Sequence, residues 1–320
     1  MLRLKDDRGA AAVIIAILMV PLLGFAAISI DVAAMHAEKQ QLQTGADAAA
    51  LAIAQDCARD TCGSPRVTAQ TLATANSNSG NAVATLPTVP TATTGRVTVE
   101  NSAVRKHWFA PVLGVDESEI KVRASASWGA PIGGTAALPL ILTLCEFNRY
   151  AVNGFPAGVE QTIITTPAGN CLQAGAGNQP PHWVPGGFGW LSPTAHKSCY
   201  TKTQVGQKAT SSPGNNMNQC DISAIRDRTI LLPLFDSSNP LNSGGNGANA
   251  WYRVYGYAAF HVTGYYFSGQ SWDGGKSAPC RGNERCIRGY FTTMVHTDPN
   301  FDYGPGAPNL GAAAVFLLPD

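Results

Sequence analysis

The sequence predicts an α+β protein: a single transmembrane helix runs on into a stem helix, followed by a small strand-helix-strand unit and a mainly antiparallel, disulfide-containing β domain. Three observations predict it. No charge occurs between Arg8 and Asp31, all eight cysteines follow that run, and 33 Gly and 21 Pro favour turns and short strands. Hydrophobic residues make up 45%, enough to build a core rather than a disordered chain. The net charge of +1 gives no reason to bind nucleic acid.

The apolar run at 9–30 fits a membrane span. As a helix it would be about 33 Å long, against a hydrocarbon core of about 30 Å. Pro21 would kink it, which membrane helices tolerate. Because Arg3, Lys5 and Arg8 precede the span, the positive-inside rule predicts that residues 1–8 are cytoplasmic and that the C-terminal bulk lies outside a cell membrane crossed once.

Two alternatives to an anchor stay open for this run. A removed export signal usually has a shorter apolar run of about 7–15 residues, but the small residues of "VAAMHA" (32–37) could form a cleavage site. The run could also be a buried helix of a soluble protein. Its length without a charge favours the anchor.

A stem helix is predicted over 31–62, because the segment is rich in Ala, Gln and Leu and Gly63 and Pro65 follow it. A narrow apolar stripe runs along one face of the helix: Met35, Leu42, Ala46, Ala49 and Ile53. Either the stripe packs on the protein's own domain, or it packs against neighbouring subunits. Its small side chains suit close helix contacts.

The cysteines predict a disulfide framework in an exported segment. They are Cys57, Cys62, Cys145, Cys171, Cys199, Cys220, Cys280 and Cys286. Pairing of sequence neighbours (57–62, 145–171, 199–220 and 280–286) is the simplest of the many connectivities. A zinc site is disfavoured because no C-x-x-C motif occurs.

The region 63–130 predicts a small α/β unit. A short helix over 66–76 and a polar loop over 77–95 precede a strand at 96–101, a helix within 104–114 and a strand at 118–128. Residues 131–137 are expected to be a linker.

The region 138–320 predicts a β-rich extracytoplasmic domain. Strands are expected at 138–144, 160–166, 229–236, 251–267, 285–296 and 311–318. The strand at 251–267 is unusually long, so a bend is expected near Gly256 or Gly264. The stretch 167–219 is expected to be irregular and held by cysteines.

Catalysis and cofactor binding have little support in the sequence. No G-x-S-x-G motif is present, and the histidines are scattered among aromatics and turns. Asp298 and Asp302 could hold Ca²⁺, but a turn in which Asp caps its own backbone is the simpler interpretation. We therefore predict no enzyme, no metal site and no cofactor.

Aromatic residues give one alternative function. Trp183, Phe188 and Trp190 lie among Gly and Pro and could form an exposed surface for a sugar or a protein. Most aromatics should instead be core. An adhesin or glycan reader anchored at the cell surface is therefore the rival hypothesis.

The N-terminal region resembles a known family. "RGAAAVIIAILMVPLLGFAAISIDVAAMHAEKQQLQTGADAAALAIA" (8–54) is similar to the start of the TadE/TadG-like Flp pilus-assembly proteins. The features that match are Arg8-Gly9 before the span, Pro21 within it, Asp31-Val32 at its end, and "QLQTGADAAALA" (41–52). With the unit that follows, the resemblance covers about 8–130. It implies a bacterial, membrane-anchored accessory or minor component of a pilus or secretion apparatus, with other components of that apparatus as partners. Whether copies of the chain assemble is left open.

Two departures from the family pattern limit what the resemblance implies. Pilins cut by prepilin peptidase carry Glu five residues into the mature chain, where cutting after Gly9 would place Ile14. Larger members also carry a von Willebrand A domain with a D-x-S-x-S metal motif. "TILLPLFDSSNP" (229–240) begins in that way, but Pro240 replaces the second Ser.

Overall fold

The computed structural model describes residues 8–93, 95–164, 188–195, 198–212, 221–239, 251–267 and 269–319. Within them the helices are α1 (Arg8–Ala58), α2 (Pro65–Ala75) and α3 (Leu144–Arg149), with 3₁₀ turns at Ala110–Leu113 and Ser223–Ile225. The predicted architecture is confirmed: a long apolar N-terminal helix precedes a mostly β structure whose sheets are largely antiparallel.

The strands of the described residues are, in chain order, β1 (Val83–Thr85), β2 (Arg96–Lys106), β3 (Glu117–Ala136), β4 (Leu140–Thr143), β5 (Ala151–Val152), β6 (Phe155–Pro156), β7 (Gln161–Ile164), β8 (Phe188–Trp190), β9 (Thr201–Gln204), β10 (Lys208–Thr210), β11 (Thr229–Asn239), β12 (Trp251–Phe267), β13 (Gln270–Trp272), β14 (Cys286–Thr292), β15 (Met294–Val295), β16 (Phe301–Gly304) and β17 (Ala312–Leu318).

Helix α1 joins the predicted span and stem without a break. Its 51 residues correspond to a length of about 77 Å at 1.5 Å per residue. It ends at Ala58, just before Asp60 adopts a positive φ of 64° and Cys57 bonds to Cys62. Helix α2 then begins with Pro65 in its first turn, where the missing N–H costs nothing.

The first sheet has the order β1-β2-β3-β17-β15, with β9 and β16 also paired to β3. A continuous antiparallel hairpin joins β2 to β3, from Arg96 opposite Ser127 to Lys106 opposite Glu117. Alternate residues of these strands point to one face, where a hydrophobic core forms with α1 and α2. The C-terminal strand β17 extends the same sheet, pairing with residues 125–129.

The second sheet has the order β7-β14-β12-β11-β4-β8, with β10 and β13 paired to β12. Both of its faces are covered, since Leu231 and Phe235 of β11 belong to one core cluster while Leu232 and Leu234 belong to another. Its longest strand, β12, has irregular registers next to Gly256 and Gly264, where the sequence predicts a bend.

The linker predicted at 131–137 is wrong, because β3 continues through it to Ala136. Glycines within and just before this segment allow β16 and the residue preceding it to lie close to β3. A Cβ on Gly129 would come within 2.7 Å of the Gly304 backbone, and one on Gly134 within 2.5 Å of the Asn300 carbonyl oxygen. The first sheet therefore contains strands from both sides of the expected boundary.

Two other sequence expectations differ from the structure. The helix expected within 104–114 is strand as far as Lys106 and then a single 3₁₀ turn, because residues 104–106 pair with β3. The stretch 167–219 is not wholly irregular, since β8, β9 and β10 lie within it. Residues 165–187 and 213–220 fall outside the described residues.

Candidate functional site: the junction between the anchor helix and the β domain

The first part of α1 projects away from the rest of the protein. Large apolar side chains along residues 13–32 are exposed, including Val20, Leu22 and Phe25. Among the described residues this is the one helix long and apolar enough to cross a membrane. It fits a single-pass membrane anchor, because the apolar surface has no protein partner and is continuous around the helix.

Asp31 ends the apolar run and joins the helix to the β2–β3 hairpin. Its carboxylate accepts hydrogen bonds from the backbone N–H groups of Trp108 (2.9 Å), Phe109 (2.9 Å) and Ala110 (2.7 Å). Burial by itself raises the pKa of the Asp31 carboxyl, but the three amide donors outweigh it and the pKa is lowered. Asp31 therefore stays ionised and fixes the hairpin against the helix.

Glu38 makes the next contact along α1. Its buried carboxylate pairs with the Arg105 guanidinium at 3.1 Å and accepts a 2.7 Å hydrogen bond from the Ser79 hydroxyl. A partly buried pair that is also hydrogen-bonded is positioned more firmly than an exposed ion pair. Glu38 thus connects the stem to both β2 and the loop before β1.

The "QLQTG" segment (41–45) binds the stem to its own domain. The Gln41 side-chain oxygen accepts from the Asn78 N–H at 3.0 Å, and the Gln43 amide donates to the Arg123 carbonyl at 3.0 Å. Between them, the Leu42 carbonyl accepts from the Asn101 side chain at 3.1 Å. A Cβ on Gly45 would lie 3.3 Å from the Ala73 backbone, so this glycine lets α2 approach closely.

The apolar stripe packs inside the protein. Leu42, Ala46, Ala49 and Ile53 are completely buried in the core that α1 forms with α2 and the first sheet, and Met35 packs at its edge. Of the two interpretations left open by the sequence, the structure places the stripe on its own domain. It is therefore not available to neighbouring subunits.

The cysteines and the C-terminal segment secure the far end of α1. Cys57 is bonded to Cys62, and the Asn309 side chain donates a 2.8 Å hydrogen bond to the Ala58 carbonyl at the helix end.

Cys280 is bonded to Cys286 next to β14. Cys145 and Cys199 are also disulfide-bonded, whereas Cys171 and Cys220 lie outside the described residues.

The predicted aromatic surface is described only in part. Trp183 lies outside the described residues, and the backbone of Phe188 forms the start of β8. Trp190 is partly buried against the core, with its ring centroid 5.5 Å from that of Phe267 in an edge-to-face contact. This position gives Trp190 a packing role.

The other predicted sites have structural explanations. Asp236, the first residue of the D-x-S-x-S-like segment, is buried and accepts a 2.8 Å hydrogen bond from Arg253. Asp298 accepts from the backbone N–H of Asn300 at 2.9 Å, as expected for a capped turn. Within the described ranges, no group of three or more His, Cys, Asp or Glu side chains is placed to hold a metal ion.

The contacts of Asp31 and Glu38 were not predicted from the sequence. In the sequence, Asp31 marks the end of the apolar run. That position could have indicated the contacts, because a charged side chain that the fold buries needs hydrogen-bond donors. The partners of Glu38 lie on a different strand and loop, about 40 to 70 residues away in sequence, so periodicity does not reveal them.

Comparison with protein families identifies a match for the N-terminal region. Residues 9–56 match the model of a family described as putative Flp pilus-assembly TadE/G-like. The resemblance predicted for the N-terminal region is confirmed over these residues, which form the exposed apolar part of α1 and the stem docked on the domain. No curated protein and no solved structure matches the chain.

Proposed function

We propose that this chain is a membrane-anchored accessory or minor structural component of a Flp/Tad-type pilus or a related secretion apparatus. It acts by assembly and protein–protein contact rather than by chemistry. The observation that carries the proposal is the match of residues 9–56, because the matched segment is the one that forms the exposed apolar helix and the stem docked beneath the β domain.

The proposed location is the cell membrane, with the N-terminus in the cytoplasm and residues 31–320 outside. The basic residues Arg3, Lys5 and Arg8 before the span support this orientation. Disulfide-bonded cysteines after the span also support it, since such bonds persist in oxidising compartments. Protease added to intact protoplasts should digest the β domain, whereas protection of that domain would contradict the orientation.

Retention of the span is part of the proposal. Cleavage after Ala37 would remove Asp31 and leave the N–H groups of Trp108, Phe109 and Ala110 without their acceptor. A hydrogen bond to a charged group contributes about 1.5–3 kcal/mol, so the loss of these three would weaken the attachment of the hairpin to α1. Mass spectrometry of the membrane-bound protein should therefore find a mature chain that still contains residues 9–37.

The test of function is deletion of the gene in a bacterium that makes such pili. We expect loss or shortening of surface pili, with recovery when the full chain is supplied. A matched control replaces residues 9–30 by a cleavable export signal, which releases the same outer domain in soluble form. The proposal requires that the soluble form fails to restore pili. Normal pili in the deletion strain, with no pilus protein co-purifying with the full chain, would contradict it.

A further inference from the structure

The turn between β2 and β3 carries an exposed apolar surface. Residues 108–115, "WFAPVLGV", contain no charged or polar side chain. Val112 is 89% exposed, Leu113 68% and Trp108 67%, so this eight-residue segment, the hairpin tip, leaves most of the surface of these three side chains uncovered by protein. A cluster of this kind marks an interaction surface.

The hairpin tip lies at the membrane end of the domain. Strand β2 and helix α1 run in opposite directions, as three contacts show. Asn101 contacts Leu42, Arg105 pairs with Glu38, and the N–H groups of residues 108–110 donate to Asp31. Moving along β2 towards the tip therefore means moving down α1 towards the span. At Asp31 the tip meets the exposed apolar surface of residues 13–32.

Most of the backbone N–H groups of the tip are bonded within the protein. Asp31 accepts the N–H groups of residues 108–110, and Pro111 has none to satisfy. Inside the tip, Val112 donates to Phe109, Gly114 to Pro111, and Val115 to Ala110. Gly114 permits this compact turn because its φ is 83°, a left-handed conformation. Internal hydrogen bonds of this kind lower the cost of moving these N–H groups from water to the edge of the hydrocarbon.

The residues bordering the tip suit a membrane interface. The Arg105 guanidinium lies 5.5 Å from the centre of the Trp108 ring, in a cation–π contact. Tryptophan is enriched where hydrocarbon meets headgroups, and basic side chains there reach towards lipid phosphates. Charged residues return at Lys106 and Asp116, on either side of the tip.

We propose that the hairpin tip, residues 108–115, inserts its Trp108, Val112 and Leu113 side chains into the outer leaflet beside the anchor helix. The occupant of this surface is lipid, because the tip continues the apolar surface of the span at the same level. The domain is then held to the bilayer at two points rather than one. This inference rests on the proposed membrane anchoring of residues 9–30.

The test uses the full chain reconstituted into phosphatidylcholine/phosphatidylglycerol vesicles and a spin label on Val112→Cys. A matched control carries the label on Val67→Cys, a valine that is also exposed (64%) and lies on α2 near the far end of the stem. Relaxation of each label by oxygen, which partitions into lipid, is compared with relaxation by a water-soluble nickel chelate. We expect oxygen to dominate at position 112 and the nickel chelate to dominate at position 67.

The outcomes separate the inference from the anchor. Dominant nickel relaxation at position 112, in protein that resists alkaline extraction from the vesicles, overturns lipid insertion and leaves the anchor intact. Shielding of the label at position 112 from both oxygen and the nickel chelate overturns lipid insertion and indicates a protein contact instead. Release of the chain by alkaline extraction overturns the anchor and the insertion together.

A second measurement needs no added cysteine. Lipids brominated just below the headgroups should quench the fluorescence of the native protein more than that of Trp108→Phe. Equal quenching of the two proteins overturns the insertion.

Discussion

Substituting Ala46 by Arg tests whether the stem belongs to the core of the domain. Ala46 is 0% exposed, between α1, α2 and the first sheet. Forcing extra volume into a packed core costs about 1–3 kcal/mol, and an uncompensated buried charge costs about 3–5 kcal/mol. The sum, about 4–8 kcal/mol, is a large part of a typical stability of about 5–15 kcal/mol.

The assay is thermal unfolding of the full chain in detergent, followed by near-ultraviolet circular dichroism. At about 2–4 °C per kcal/mol, Ala46→Arg should lower Tm by about 8 °C or more, or abolish the cooperative transition. Thr44→Arg is the matched control, since Thr44 is exposed on the same helix and its hydroxyl bonds only to the Gln40 carbonyl one turn before it. Its effect should stay within about 0.5 kcal/mol.

One result would refute this reasoning. If Ala46→Arg unfolds like the native protein but no longer co-purifies with other pilus components, the stripe faces a partner, as one interpretation of the sequence allowed. Loss of both folding and co-purification, with Thr44→Arg normal in both, is what an internal stem predicts.

Two further predictions concern the junction and the domain boundary. Asp31→Asn should lower Tm at pH 7, because the ionised Asp31 carboxylate stabilises the folded protein. The pKa of Asp31 is lowered in the folded protein. The stabilisation is therefore complete above the unfolded pKa of about 4 and is lost as the pH falls through the folded pKa. The Tm difference between the native protein and Asp31→Asn should therefore shrink at pH 3, and a constant difference would argue against the carboxylate contacts. A fragment of residues 138–320 should fail to fold cooperatively, because β9, β16 and β17 lose their pairing partner β3. A fragment of residues 31–320, which keeps β3, should resist proteolysis. Equal resistance of the two fragments would mean that the predicted domain boundary at residue 138 is real.

The features that the sequence predicts well are those set by neighbours in the chain. A charge-free run of apolar residues specifies the long exposed apolar part of α1 by itself, and the Ala-rich stripe specifies which face of α1 is buried. Strand β12 matches its predicted bounds because β-branched and aromatic residues make up most of the run from Trp251 to Phe267.

The features that the sequence does not reveal depend on distant pairing. Gly133 and Gly134 are compatible with a linker until β16, about 170 residues later in the chain, is known to pair with them. In the same way, nothing local indicates that β17 completes the sheet beneath α1. The contacts of Asp31 are hidden for the same reason, since its donors lie on a hairpin formed by two separate strands.

The continuity of α1 determines what the proposed anchor can do for assembly. A span joined to its domain by a flexible linker would let the domain rotate freely above the membrane. Here the span and the stem are one helix, and Asp31, Glu38 and the Leu42 carbonyl each bind the same hairpin. The orientation of the β domain is thus coupled to the tilt of the helix. A partner in the same membrane would meet one fixed face of the domain, which lowers the entropy lost on contact.

Inserting a flexible Gly-Ser segment between residues 30 and 31 should therefore weaken co-purification with membrane-embedded pilus proteins while leaving the fold beyond Asp31 intact. Unchanged co-purification would mean that the helix serves only as a tether.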